Sequence, residues 1–134
     1  MAMAPHLDPG ETSMRFMSIV TARPQHYGRP TPALMEAIQK LSEREIAAGR
    51  MIDTGGLMPL EQGKRVAVQD GKVVVLDGPF AESKEIIGGY AIFELKDLAE
   101  ATALAVEFMQ LHTEHMPGWE GTCEVREFMT MECG

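Results

Sequence analysis

Apolar and polar positions follow two different periods along this chain, and the changes of period divide it into short elements. Apolar and β-branched residues gather in runs of strand length at 14–21, 51–57, 64–69, 72–76, 86–95 and 122–129. Two longer stretches instead repeat their apolar positions about every 3.6 residues, as amphipathic helices do. The pattern predicts the order strand, helix, strand, hairpin, strand, helix, strand.

Local signals mark where the two helices begin and where the first one ends. Thr31 before Pro32 predicts an N-cap followed by the first helical residue, and Gly49 marks the end of this helix. Asp97 begins the second helix, with Glu100 three residues later at the spacing of a capping box. Both helices are therefore predicted with defined starts.

A tight hairpin is predicted at Asp70-Gly71, which separates two β-branched runs. If this hairpin is an insertion, the remaining elements form a split βαβ unit repeated twice, which is the ferredoxin-like arrangement of the α+β class. Both helices then cover one face of a four-stranded sheet. Because a broad apolar sheet face is not left in water, we expect a sheet-to-sheet homodimer. A small-molecule cleft would lie between sheet and helices or at the dimer seam.

Length and charge limit the classes of function. The 134 residues suit one domain, and we assign 1–13 to a flexible N-terminal extension, 14–130 to the domain and 131–134 to a tail. A formal charge of -8, with scattered basic residues, argues against binding nucleic acid. The chain has no apolar run long enough for a membrane span, no signal-peptide pattern and no cysteine spacing typical of a zinc site. We expect a reduced, cytoplasmic protein without membrane contact.

Several separate segments, in the same order, resemble the DGPF-motif branch of the YCII-related family. They are Met14-Arg15-Phe16-Met17, 45–49, Asp77-Gly78-Pro79-Phe80 with Glu82, Lys84 and Glu85, Gly89-Tyr90, and 123–126. The resemblance implies a ferredoxin-like domain that dimerises into an α/β barrel, in a family that mostly lacks assigned activity.

The resemblance also implies two different roles. Relatives in the wider YCII group resemble small-molecule lyases, including a dehydrochlorinase of chlorinated hydroquinones, in which a His/Asp pair transfers protons. The DGPF branch is also similar to proteins encoded beside extracytoplasmic-function sigma factors, which implies ligand sensing or association with a sigma factor. In the lyase-like relatives a histidine follows an Arg-Pro pair, and His26 occupies that position here. Since His26 precedes the cap Thr31 by most of a loop, it is only a weak candidate.

Two carboxylates are candidate acids or bases. Glu45 falls in the middle of the apolar face of the first helix, where desolvation would raise its pKa and suit proton transfer. Its alternative role is a structural ion pair with an arginine such as Arg15 or Arg126. Asp77 projects from a turn at a strand end, where it either takes part in proton transfer or ties down the turn.

Two histidines at the end of the second helix complete the catalytic candidates. We predict that the helix ends near Leu111 or His112, with His112 on its apolar face, where it either titrates near neutrality or caps a late carbonyl. His115 lies three residues on, so both could reach one metal ion only if the helix continued, and Pro117 argues against that. We expect neither a metal nor a cofactor.

Aromatic residues are candidate walls for a flat ligand, although such residues often belong to a core or an interface. Tyr90, Phe80 and Trp119 are the candidates, with Arg15 as a further binding residue. Nucleotide-binding and serine-hydrolase motifs are absent from the sequence. The leading hypothesis is a lyase or isomerase acting on a small cyclic or aromatic compound through some of the residues Asp77, His112, Glu45 and His115. The alternatives are a non-catalytic sensing or sigma-factor-associated module, and a structural domain without turnover.

Overall fold

A computed structural model describes residues 13–23, 30–59, 62–77 and 86–129. Along these residues the elements alternate as the sequence predicts. They are β1 (Met14–Ala22), α1 (Pro32–Ala47), β2 (Met51–Gly56), β3 (Lys64–Gln69), β4 (Lys72–Asp77), β5 (Ile86–Leu95), α2 (Leu98–His115) and β6 (Gly121–Glu127).

The main sheet has four strands in the order β2-β5-β1-β6, and all neighbouring strands are antiparallel. Strand β1 lies in the middle, paired with β5 from Met14 opposite Leu95 to Ala22 opposite Ile86. This strand order, with one helix after β1 and one after β5, is the split βαβ repeat. The predicted α+β, ferredoxin-like fold is confirmed.

Strands β3 and β4 form a separate two-stranded sheet, inserted between β2 and β5 in the sequence. Asp70 and Gly71 both have positive φ, 52° and 74°, as a type I′ turn requires at its two central residues. The turn joins Gln69 to Lys72, which are paired across the ladder. The inserted hairpin is thus also confirmed.

The N-cap of α1 also joins the two helices. Thr31 Oγ1 accepts a hydrogen bond from the backbone N–H of Leu34 at 3.1 Å and donates one to the carbonyl oxygen of His115 at 2.6 Å. One hydroxyl therefore satisfies an orphan donor at the start of α1 and an orphan acceptor at the end of α2.

The start of α2 has a modified capping box. Asp97 Oδ1 accepts from the N–H of Glu100 at 2.9 Å, as predicted. The carboxylate of Glu100 reaches back to the N–H of Lys96 at 2.8 Å, one residue before the cap.

The predicted end of α2 near residue 111 or 112 is wrong, because the helix continues to His115. The N–H of Met116 donates to the carbonyl of His112 at 2.8 Å and closes the last turn. Pro117 follows that hydrogen bond, so its missing N–H and its ring do not disturb the helix. The proline limits the helix one turn later than the sequence suggested.

Alternation along the central strands directs one face of the sheet towards the helices. Phe16, Phe93 and Leu95 are buried on that face and pack with Ala101 of α2. Their neighbours in sequence point to the opposite face, where Met17 pairs with Ile92 in register. Both of these side chains are half-buried in the single chain, since neither α1 nor α2 covers that face.

The turn into β6 depends on the absence of a side chain at Gly121. A Cβ built at Gly121 would lie 2.6 Å from the carbonyl oxygen of Thr21 and 2.4 Å from Cη2 of Trp119. Real Cβ atoms do not approach backbone oxygen so closely, so either the β1–β6 ladder or the indole must move.

We predict that Gly121→Ala lowers the free energy of unfolding by about 1–3 kcal/mol, because it overpacks this contact. Denaturation in urea with circular dichroism measures the change. Gly56→Ala is the matched control, since the Cβ built at Gly56 meets only Gly88 O at an ordinary 3.9 Å. Equal effects of the two substitutions would contradict the steric account.

Candidate functional site

A cavity of about 440 Å³ lies between the two helices and the sheet. Its floor is made by small or apolar residues on the helix-facing side of the sheet, and α1 and α2 supply its walls. Val20 and Ala91 are typical of the floor, Leu34 and Ala105 of the walls. A cavity of this size between elements of secondary structure is typical of a small-molecule site.

A cluster of three aromatic rings forms one wall of the cavity. The imidazole of His112 contacts the ring of Phe108 edge-on, at a centroid distance of 4.8 Å and an interplanar angle of 64°, and the tilted indole of Trp119, at 4.4 Å and 36°. All three residues line the cavity. Trp119 is the only tryptophan of the chain, and Gly121 provides the room that its ring needs.

The imidazole of His112 is buried, with 8% of the residue exposed. Its Nδ1 lies 3.1 Å from the carbonyl oxygen of Phe108, one turn earlier in α2. Desolvation lowers the pKa of His112 and outweighs the opposite effect of that backbone hydrogen bond. The neutral form is therefore favoured. The imidazole does contact a helix carbonyl, but Phe108 lies about two turns before the end of α2 at His115, so this contact is not the helix cap of the alternative prediction.

Other polar groups of the cavity come from its strands. Ser18 is buried and Cys123 is half-buried, and both line the cavity. Burial raises the pKa of the Cys123 thiol, and the hydrogen bond with Ser18 reverses only part of that effect. Thr54 also lines the cavity, but its hydroxyl donates to the carbonyl of Tyr90 at 2.9 Å.

Glu45 borders the cavity as a fully buried carboxylate held by two arginines. Arg50 donates through Nε at 2.6 Å and Nη2 at 2.9 Å, and Arg44 donates through Nε at 2.8 Å. Arg44 also forms a two-pronged pair with Glu107 of α2, at 2.7 and 2.8 Å. The four charged groups tie α1 to α2 and to the start of β2.

These arginines reverse the expected behaviour of Glu45. Desolvation alone would raise its pKa, but the hydrogen bonds from Arg50 and Arg44 together outweigh it and the pKa is lowered. The prediction of a raised pKa is wrong. The ion-pair alternative describes the geometry, with other arginines than expected, since Arg15 pairs with Glu94 at 3.1 Å. In the same way, Arg126 lies 3.8 Å from Glu124.

Two other predicted catalytic residues lie away from the cavity. Asp77 is at the end of β4, exposed, and in an ion pair with Lys64 across the hairpin. His115 is half-buried, with Nε2 3.7 Å from Glu114 Oε2, and does not line the cavity. Neither residue is brought to His112 as a partner for proton transfer.

Only some of the predicted binding residues lie beside the cavity. Trp119 and Tyr90 border the cavity, but the side chain of Tyr90 lies on the other face of the sheet, beside that of Ile19. Its ring lies against Gly55 and its hydroxyl donates to Asp53 Oδ2 at 2.9 Å. That hydrogen bond raises the pKa of Tyr90. Arg15 lies outside the cavity. The candidates His26 and Phe80 fall outside the described residues.

Phe108, Ser18 and Cys123 are site residues that the sequence reasoning missed. The signal for Ser18 and Cys123 was their alternation with outward-facing residues on β1 and β6, which places them on the helix-facing side. Phe108 lies one turn before His112 on α2, which is the spacing that brings side chains together on a helix.

Metal binding and membrane insertion each require a particular feature of the structure. Within the four described segments, no three His, Cys, Asp or Glu side chains come close enough together to hold a metal ion, although α2 includes both His112 and His115. Among the same residues, no helix has the length and apolar character needed to span a membrane.

Comparison with known proteins assigns the chain to a family. The family model of the YCII-related domain matches residues 14–112, which include β1 to β5 and most of α2. This chain belongs to the YCII-related family. It is also similar to an uncharacterised protein of Rhizobium meliloti (strain 1021), with 28% identity over 72 residues. That alignment covers 54% of this chain and 58% of the relative.

The arginine clamp on Glu45 leads to a prediction about stability and pH. Glu45→Gln keeps the shape of the side chain but removes its charge, so we expect a loss of about 1–3 kcal/mol in the free energy of unfolding at pH 7. Because the pKa of Glu45 is lowered by folding, this contribution is present above the ordinary pKa of 4.5 and is lost as pH falls through the folded value.

Urea denaturation of the wild-type protein and of Glu45→Gln between pH 3 and pH 8 measures the difference between their free energies of unfolding. It should be constant above about pH 5.5 and shrink at lower pH. Glu36→Gln, on the exposed side of α1, is the control and should change little. A difference between the Glu45 proteins that grows towards acid pH would contradict the assignment.

Proposed function

We propose that this protein binds a small cyclic or aromatic compound in the cavity between its helices and its sheet. The observation that carries the proposal is the aromatic wall of Phe108, His112 and Trp119 facing a mainly apolar space of about 440 Å³. A flat apolar molecule would gain from leaving water and from contact with the indole and imidazole rings. Membership of the YCII-related family also supports a small-molecule site, because relatives in the wider group resemble small-molecule lyases.

A lyase or isomerase reaction is the second candidate function, and His112 supports it. Its neutral imidazole is buried beside the cavity, where it would serve as a general base. Glu45 is held as an anion by its arginines, and Asp77 and His115 lie elsewhere, so any proton transfer would depend mainly on His112. Ligand binding is the better-supported function, because it requires no second acid or base.

We also propose a cytoplasmic homodimer formed through the sheet face that carries no helix. Met17, Ile19, Tyr90 and Ile92 form adjacent cross-strand pairs there, and Arg15–Glu94 lies beside them. An apolar centre with charged neighbours is the usual composition of a protein interface. Association with a sigma factor remains the alternative partner, suggested by the family resemblance alone.

Binding can be tested with N-phenyl-1-naphthylamine, an uncharged dye whose fluorescence rises in apolar surroundings. We expect saturable binding to the wild-type protein, and binding weaker by about tenfold or more in Ala105→Met, because the longer side chain fills part of the cavity. Ala103→Met, on the exposed side of the same helix, is the control. Absence of dye binding, or equal binding by both variants, would overturn the cavity as the site.

The dimer can be tested by size-exclusion chromatography with light scattering. We expect the wild-type protein to elute with twice the mass of its 14.7 kDa chain and Ile92→Glu to elute as a monomer, since a charge buried in an apolar interface is costly. Val106→Glu places the same charge on the exposed surface of α2 and should leave the dimer intact. A wild-type monomer would contradict the proposal.

A further inference from the structure

The hydrogen bond of His112 determines which of its nitrogens faces a ligand. Nδ1 lies 3.1 Å from the carbonyl oxygen of Phe108, and a carbonyl oxygen has no proton to donate. The proton of this contact must therefore be on Nδ1. In the neutral ring Nε2 then carries only a lone pair and accepts hydrogen bonds.

This acceptor has no partner in the described part of the chain. The contacts of the imidazole within residues 13–23, 30–59, 62–77 and 86–129 are the bond to Phe108 and the two ring contacts. A polar side chain that is only 8% exposed does not usually leave such an atom unsatisfied. Since Nδ1 is turned back onto the helix, Nε2 lies on the other side of a ring that lines the cavity.

The cavity offers little to a negatively charged ligand. No lysine or arginine is found among the described residues that line it, and its one ionised neighbour is the Glu45 carboxylate. Arg50 directs Nε and Nη2 to that carboxylate, and Arg44 divides its donors between Glu45 and Glu107. A carboxylate or phosphate entering the cavity would lose its hydration without gaining a cation from these lining residues.

We propose that the ligand is an uncharged ring compound bearing an O–H or N–H group, such as a phenol, an enol or an azole, which donates a hydrogen bond to His112 Nε2. The inference rests on the proposed binding function and names the chemical class of the ligand. The ring of such a compound would lie beside Trp119, and its donor would satisfy the buried nitrogen.

Calorimetric titration with three matched probes tests this class. The probes are 2-naphthol, which has the donor, 2-methoxynaphthalene, which lacks it, and 2-naphthoate, which is an anion. In the wild-type protein we expect 2-naphthol to bind about tenfold more tightly than 2-methoxynaphthalene, as one buried hydrogen bond allows, and 2-naphthoate to bind most weakly. In His112→Phe the first two probes should bind with equal affinity.

The outcomes separate this inference from the function on which it rests. If 2-naphthol and 2-methoxynaphthalene bind the wild-type protein equally, the hydrogen-bond donor is not recognised and the inference fails, while cavity binding stands. If neither binds, both fail. If 2-naphthoate binds most tightly, the charge argument is wrong.

A second measurement needs no variant and holds even if His112→Phe does not fold. Nitrogen-15 NMR of the wild-type imidazole should show Nε2 unprotonated in the free protein, and its resonance should shift on addition of 2-naphthol but not of 2-methoxynaphthalene. A proton on Nε2 in the free protein would overturn the inference.

Discussion

The coverage of only one face of the sheet is the constraint on which the rest of this structure depends. Both helices pack on the side that carries Phe16 and Phe93, so the core, the cavity and the aromatic wall all lie in a single layer between helices and sheet. The opposite side, centred on Met17 and Ile92, is covered by neither α1 nor α2. The proposed ligand site and the proposed dimer interface therefore lie on opposite faces of the same strands.

Polar contacts hold the helix layer in place around a cavity that its apolar core does not fill. Thr31 joins the start of α1 to the end of α2. The ion pairs of Glu45, Arg44, Arg50 and Glu107 join the other end of α1 to α2 and to the start of β2. A pair of helices fixed at both ends can keep a space of about 440 Å³ between them and the sheet. The same contacts remove Glu45 from acid–base chemistry, since a carboxylate bound by two guanidinium groups remains an anion. His112 is left as the polar group of the cavity with a nitrogen available to a ligand.

Most of the fold could be predicted from the sequence because each element is marked by signals from neighbouring residues. The cap at Thr31, the Asp70-Gly71 turn and the alternation in β5 each depend on neighbouring residues, and each appears where the pattern predicted it. The end of α2 was placed a turn too early because Pro117 was read as a barrier, whereas a proline outside the last hydrogen-bonded turn imposes no cost on the helix.

The sequence by itself determined the order of elements, the α+β class and the inserted hairpin, and it identified some of the candidate site residues. Only the tertiary structure decided which candidates meet. It brought His112 to Trp119 and Phe108, gave Glu45 to Arg44 and Arg50 rather than to Arg15, and left Asp77 on a separate hairpin. The physical reason is that capping and periodicity fix the backbone within a few residues, whereas a buried charge or ring selects among partners near in the sequence, such as Arg44 and Arg50, and far from it, such as Glu107. Their approach depends on how helices pack on the sheet, which no local pattern encodes.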